Sequence, residues 1–210
     1  MQWVGRAELV AAVANAGALG FITALTQPTP ADLSREIQKT RELTDKPFGV
    51  NIAQAYVRDG DIVSFVADQG VKFVTTSAGD PNRYCSQLKE AGLTVFHVVP
   101  SLSAAIKAIE AGVDGLVVEG AEGGGFKNAR DVNTMVLLPL VCSKVNVPVI
   151  AAGGMVDGRS MAAAFALGAE GIQMGTRMVS AAESPVHQNW KDAIVAAKET
   201  DTVFLNRFGP

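Results

Sequence analysis

The sequence predicts an α/β fold, a parallel (β/α)8 barrel, from two observations. Seven short apolar runs are spaced along the chain, and amphipathic stretches separate them. A similar small-residue phrase also recurs just before several runs, as Glu90-Ala91-Gly92, Glu110-Ala111-Gly112 and Leu167-Gly168-Ala169. Strictly alternating strands and helices form a parallel sheet, and the recurring phrase indicates a repeated βα unit.

The seven apolar runs are predicted as strands. They are nearly continuous rather than alternating, which is typical of strands covered on both faces. The predicted strands cover residues 19–24, 48–52, 72–77, 94–100, 115–119, 148–152 and 171–174.

The stretches between the runs are predicted as helices. Several end just before a glycine, which supplies the left-handed residue that closes a helix. The predicted helices cover residues 6–16, 31–43, 61–69, 81–91, 101–111, 134–144 and 159–167, with an eighth over 186–198.

Two architectures fit alternating units. A doubly wound open sheet needs a switch point in its strand order and usually has fewer units. A barrel needs eight strands, and seven are counted, so we favour a barrel whose first strand lies before Met1 and whose C-terminal extension is absent. Residues 1–210 are expected to form one domain.

The composition excludes several classes of protein. The 210 residues are 48% hydrophobic and carry a net charge of -3, with no basic cluster, so no nucleic-acid partner is expected. No membrane span or signal peptide is apparent, and the cytoplasm is the expected location. Cys85 and Cys142 are expected to be reduced, and two separated histidines make a metal site unexpected.

Glycines at the ends of the last two strands predict a phosphate site. One strand ends Ala151-Ala152-Gly153-Gly154-Met155, and the other ends Gln173-Met174-Gly175-Thr176-Arg177. Barrels often hold phosphate in the loops after their last two strands, where glycine lets backbone N–H groups approach it. A lone Gly-Gly would be interpreted as a simple strand-to-helix turn, but glycine signals at both of these strand ends favour phosphate.

A glycine-rich loop follows the 115–119 strand and runs from Glu119 to Lys127. Three successive glycines open the backbone beside a flat or bulky ligand, the alternative being a flexible linker. His97 is interpreted either as a buried rim histidine or as part of the site, and His187 as a surface residue.

Several motifs, found along nearly the whole chain, resemble one family. They are Met1-Gln2-Trp3-Val4, Ala14-Asn15-Ala16-Gly17, Asp45-Lys46-Pro47-Phe48-Gly49-Val50-Asn51, Ala151-Ala152-Gly153-Gly154 with Asp157-Gly158, and Met174-Gly175-Thr176-Arg177. The chain resembles the nitronate monooxygenase (2-nitropropane dioxygenase-like) flavoenzymes. Their relatives include FMN-dependent enoyl-acyl-carrier-protein reductases and NADH:quinone reductases. The resemblance implies a TIM barrel that binds FMN.

The resemblance also implies which residues contact the flavin. Those expected to line it are Met1, Gln2, Glu119, Gly124 and Gly125, and those expected at its phosphate are Ala152, Gly153, Gly154, Gly175 and Thr176.

One position departs from the family. Its glycine loop usually ends in a histidine that acts as base or orients the substrate, and Phe126 stands there in this chain. Phe cannot accept a proton. Glu122 and Lys127 are the nearby candidates for that role, so no catalytic residue is assigned.

The function expected from the resemblance is oxidation of alkyl nitronates with O2. The alternative is a flavin reductase that takes hydride from NAD(P)H and reduces a quinone, an enoyl thioester or a CoA-linked substrate. An inactive or flavin-free fragment and a sugar-phosphate isomerase remain further hypotheses. The partners expected are a small-molecule substrate and a second copy in a homodimer.

Overall fold

The computed structural model describes residues 1–57, 62–125 and 131–203. Within them, the seven predicted strands are present, with bounds that differ from the predicted ones by at most two residues. They are β1 (Phe21–Thr23), β2 (Gly49–Ala53), β3 (Phe73–Ser77), β4 (Thr94–Val99), β5 (Gly115–Glu119), β6 (Val149–Ala152) and β7 (Gly171–Gln173).

The strands form one curled sheet in the order β1-β2-β3-β4-β5-β6-β7, and every neighbouring pair is parallel. A doubly wound sheet would interrupt this sequential order at its switch point. The sheet and its alternating helices therefore correspond to a TIM-barrel-like fold, as predicted. In the described part of the chain, β1 and β7 are the two edges of the sheet.

The described residues contain nine α-helices, one before β1 and the others between or after the strands. They are α1 (Ala7–Asn15), α2 (Pro30–Leu43), α3 (Ile62–Asp68), α4 (Cys85–Glu90), α5 (Leu102–Glu110), α6 (Thr134–Cys142), α7 (Gly158–Ala166), α8 (Thr176–Val179) and α9 (Gln188–Ala196). Short 3-10 helices cover Ala24–Thr26, Gln54–Tyr56 and Pro81–Arg83. None of the helices described is long and apolar enough to cross a membrane.

Two helix predictions differ from the structure. The helix expected over 81–91 is divided, because Tyr84 has non-helical dihedral angles (φ -134°, ψ -6°) between Pro81–Arg83 and α4. The short helix α8 was not predicted, because four residues are too few to show a helical pattern. Both cysteines are free thiols, as expected.

The hydrophobic residues form two clusters of unequal size. The larger lies between the sheet and helices α2 to α7 and contains Ile22, Val50 and Leu116. The smaller contains Val4 and Leu9 near the N-terminus and Val179 of α8, with α9 also packed against it. The smaller cluster thus joins the two ends of the described chain and brings the N-terminus close to the end of β7.

Candidate functional site

The turns after β6 and β7 lie side by side at one edge of the sheet. Ala152, the last residue of β6, pairs with Gln173, the last residue of β7. Because parallel strands end at the same edge, Gly153 and Gly154 are placed next to Gly175. The structure therefore brings together the two glycine signals that the sequence placed at separate strand ends.

Gly153 and Gly154 adopt consecutive left-handed conformations, with φ of +92° and +76°. A Cβ atom at Gly153 would lie 2.9 Å from Oγ1 of Thr134 and 3.1 Å from the carbonyl oxygen of Gly120. At Gly154 the nearest atom would be 4.0 Å away, on Glu122. The first glycine is thus required by packing, whereas a side chain at the second would extend into open space.

The backbone N–H groups at both turns remain available for a ligand. No described residue accepts a hydrogen bond from the N–H of Gly154, Gly175 or Thr176. Thr176 is exposed and begins α8, and Arg177 follows it, also exposed. Unused N–H donors, with an exposed hydroxyl and an exposed arginine in the same turn region, are groups that can bind a phosphate.

Helix α7 is held in place beyond the first of these turns. The Asp157 carboxylate accepts hydrogen bonds from the backbone N–H groups of Arg159 (3.0 Å) and Ser160 (2.9 Å). The backbone N–H of Ser160 and its hydroxyl both donate to this carboxylate, and these two hydrogen bonds lower the pKa of Asp157. The cap fixes where α7 starts and so where the turn ends.

The glycine loop after β5 also lies at this edge. Glu119 is the last residue of β5 and pairs with Ala152 of β6. A Cβ at Gly123 would lie only 2.3 Å from Oε1 of Glu119, so the loop folds back over this carboxylate. A Cβ added at Gly124 or Gly125 would meet no atom of the described residues within 4 Å. This open backbone is compatible with the flat ligand that the sequence predicts there.

Glu122 has a structural contact that the sequence did not reveal. Its carboxylate accepts hydrogen bonds from the backbone N–H of Thr134 (3.0 and 3.2 Å) and from the Thr134 hydroxyl (2.8 Å). Glu122 therefore provides the acceptor for a backbone N–H at the N-terminus of α6, where Asn133 provides no side-chain cap. Phe126 and Lys127 lie outside the described residues.

Met1 contacts the last residue of β1. Its backbone nitrogen donates a hydrogen bond to Oγ1 of Thr23 (3.1 Å), whose hydroxyl donates to the Met1 carbonyl oxygen (3.0 Å). The Met1 sulfur lies 3.8 Å from where a Cβ of Gly175 would be. Gln2 is exposed.

His97 belongs to the interior of the fold rather than to this edge. It is 4% exposed, and its Nδ1 lies 2.7 Å from Oγ1 of Thr76. It shares one face of β4 with Val95 and Val99, which pack in the main core. Burial lowers the pKa of His97 to about 4. The buried interpretation of His97 is therefore confirmed.

His187 is exposed, as predicted, and its Nδ1 accepts a hydrogen bond from the N–H of Asn189 at the start of α9. Within the described residues, no three metal-ligating side chains come together.

Three polar residues at the edge were not selected from the sequence: Thr23, Asn51 and Thr134. Asn51 is half-buried, pairs with Thr75 in the sheet and donates a hydrogen bond to its hydroxyl (2.9 Å). A polar residue inside an otherwise apolar run is the signal that could have identified Thr23 and Asn51. Thr134 could be recognised only from its tertiary contacts.

Comparison with known proteins identifies relatives along the whole chain. The family model described as Nitronate monooxygenase matches residues 1–64 and 53–210. A "Probable nitronate monooxygenase" of Staphylococcus saprophyticus is 33% identical over 244 residues, which cover 95% of this chain and 68% of the relative.

A second relative is named for a CoA-linked substrate. The (3aS,4S,5R,7aS)-5-hydroxy-7a-methyl-1-oxo-octahydro-1H-indene-4-carboxyl-CoA dehydrogenase of Mycobacterium tuberculosis is 39% identical over 210 residues, 99% of this chain. The chain spans 58% of the length of that protein.

Solved structures show the same fold. FabK from Thermotoga maritima superposes with a TM-score of 0.92 at 48% identity, covering 97% of this chain and 64% of FabK. Nitroalkane oxidase from Streptomyces ansochromogenes superposes with a TM-score of 0.79 at 26% identity, covering 90% of this chain and 67% of that structure.

These matches confirm the expected family and, at the level of the family, its cofactor. The family and these neighbours are FMN-dependent flavoproteins, and the relatives are named as oxidoreductases. The chain belongs to the nitronate monooxygenase family.

Proposed function

We propose that this chain forms the FMN-binding domain of an oxidoreductase. The observation that carries the proposal is the pairing of Ala152 with Gln173, which places the turns after β6 and β7 together. Their N–H groups at Gly154, Gly175 and Thr176 have no acceptor among the described residues. Such groups bind a phosphate without needing a lysine.

The residues of the chain have separable roles in this proposal. Gly154, Gly175 and Thr176 would hold the phosphate, and Ala152 and Gly153 would shape the turn. The open backbone at Gly124 and Gly125 would lie along the ring system, together with Met1, Gln2 and Glu119. FMN bound there would supply reversible hydride and electron transfer, while the protein orients the reactants and excludes water.

Oxidation of an alkyl nitronate with O2 is the first candidate reaction. The family model and the relatives named as nitronate monooxygenases support it. Glu122 is a poor candidate for the base, since its carboxylate already accepts three contacts from Thr134. A nitronate is already deprotonated, so its oxidation needs orientation more than a strong base.

Reduction or dehydrogenation of a thioester-linked substrate is the second candidate. A relative at 39% identity is named as a carboxyl-CoA dehydrogenase, and FabK is 48% identical. In the sequence, Phe126 also replaces the histidine expected for nitronate chemistry. In this case NAD(P)H would be the electron donor for a reduction, or NAD(P)+ the electron acceptor for a dehydrogenation.

Flavin binding is tested first, by titrating the protein with FMN and with riboflavin. Specific binding of FMN, at least about tenfold tighter than that of riboflavin, is expected because one phosphate contributes several hydrogen bonds. Equal affinity for the two flavins would contradict the phosphate site, and no binding of either flavin would support the flavin-free alternative.

The reaction is tested by mixing the FMN-loaded protein anaerobically with propyl-2-nitronate or with NADH or NADPH. Loss of the flavin absorbance band with the nitronate supports the first candidate. Loss of the band with the nicotinamide nucleotide alone would exclude the first candidate and support the second.

A further inference from the structure

We infer that Thr134 is a positioning residue for the phosphate site, because it orients the peptide that carries the Gly154 N–H. This inference rests on the proposed function and assigns a role to a residue that does not itself face the ligand. The Thr134 hydroxyl lies 3.0 Å from the carbonyl oxygen of Gly153 and 3.3 Å from that of Ala152. Thr134 is 4% exposed.

The geometry of the peptide bond explains how Thr134 acts at a distance. The carbonyl of Gly153 and the N–H of Gly154 belong to the same trans peptide, so they point in opposite directions. Holding the carbonyl oxygen toward Thr134 turns the N–H away from it, toward the open side of the turn. Because glycine can rotate freely through either sign of φ, two adjacent glycines would not fix this peptide by themselves.

Thr134 is packed tightly between two glycines of the site. A Cβ at Gly120 would lie 2.1 Å from its hydroxyl oxygen, and one at Gly153 would lie 2.9 Å from it. Glycines on both sides thus let this side chain insert between the loop after β5 and the turn after β6.

The Glu122 carboxylate fixes Thr134 from the other side, through its N–H and its hydroxyl. The hydroxyl has one proton and three acceptor oxygens within 3.3 Å, so these contacts share a single donor. The two glycine segments of the site are therefore coupled through one side chain.

The test compares three variants with the wild type. Thr134→Val keeps the shape of the side chain and removes its hydroxyl. Thr134→Ser keeps the hydroxyl and removes the methyl group. Thr40→Val is the matched control, because Thr40 is also fully buried and its hydroxyl donates to the Glu36 carbonyl oxygen at 2.8 Å, far along the chain in α2. Dissociation constants for FMN and for riboflavin are measured for each protein, together with thermal unfolding without ligand.

We expect Thr134→Val to weaken FMN binding by about tenfold, the effect of one oriented hydrogen bond, and to leave riboflavin binding within about twofold. Thr134→Ser should recover most of the FMN affinity. Thr40→Val should lower the unfolding temperature without changing the ratio of the two affinities. The ³¹P chemical shift of bound FMN should move in Thr134→Val and stay unchanged in Thr40→Val.

Two results would overturn the inference. One is an equal loss of affinity for both flavins in Thr134→Val, which indicates a general structural role. The other is an unchanged preference for FMN. If Thr134→Val does not fold, Glu122→Gln provides the same comparison, since it removes the charge that supports Thr134 and keeps the size of the side chain, and its expected loss for FMN is about threefold. A wild type that does not prefer FMN would refute the proposed function itself, and this inference with it.

Discussion

Two sides of the sheet use polar groups differently. On one side, within β3 and β4, Thr76 and His97 bond to each other and are buried. On the other side, at the turns after β6 and β7, the N–H groups of Gly154, Gly175 and Thr176 find no acceptor among the described residues. Polar groups that satisfy one another stabilise the fold, whereas donors left unused at a strand end indicate where a ligand binds.

The largest expected effect is at Gly153. Gly153→Ala places a Cβ in a left-handed conformation and against Thr134 and the loop after β5. We expect a loss of about 3 kcal/mol in the free energy of unfolding and at least about a hundredfold loss in FMN affinity. Urea denaturation and flavin titration measure both quantities.

Gly112→Ala is the control for that substitution. Gly112 also has a positive φ, of +89°, but its Cβ would meet no atom within 4 Å. The Gly112→Ala variant should lose only about 1 kcal/mol in the free energy of unfolding, and its FMN affinity should not change. Equal effects at the two glycines would contradict the contacts assigned to the turn after β6.

The next effect is the pH dependence contributed by His97. Burial lowers its pKa to about 4, so the folded protein binds fewer protons than the unfolded chain between about pH 6.5 and pH 4. Stability from this group is therefore fully present above pH 6.5 and is lost as the pH falls through that window, by up to about 3 kcal/mol.

His97→Gln should remove this contribution. Its free energy of unfolding should fall less than that of the wild type between pH 7 and pH 4, as measured by urea denaturation. FMN affinity at pH 7 should stay within about twofold of the wild type. A large loss of flavin binding in the folded variant would show that His97 and the turns after β6 and β7 do not act independently.

A smaller effect is expected at Gly154, compared with Gly17. Both have positive φ (+76° and +87°), and an added Cβ would have no close contact at either. Each alanine variant should lose about 1 kcal/mol of stability. Only Gly154→Ala should weaken FMN binding, because its methyl group would occupy space in which the phosphate is proposed to lie. Similar flavin affinities in the two variants would place the phosphate elsewhere.

The smallest effect is expected at Arg177. Its side chain is exposed at the start of α8, where a surface charge contributes about 0.5 kcal/mol. Arg177→Gln should therefore weaken FMN binding by about twofold at low ionic strength. The difference should disappear in about 1 M salt, since the screening length there is only about 3 Å. A loss that persists at high salt would indicate a direct, buried contact.

The sequence alone determined the strands, most helices and the two glycine turns of this protein. These features are local: an apolar run, a helical period or a Gly-Gly pair can be recognised without knowing its neighbours. The position proposed for the phosphate site followed from the same information, because parallel strands must end at one edge.

Tertiary structure decided which side chains belong to the site. Glu122 was a candidate base from its place in the loop, yet it bonds to Thr134, twelve residues further along the chain. His97 lies in a strand that is apolar on both faces, so its sequence context could not show which way it points. Hydrogen-bond partners and strand faces depend on distant segments meeting, and that is information that local patterns do not contain.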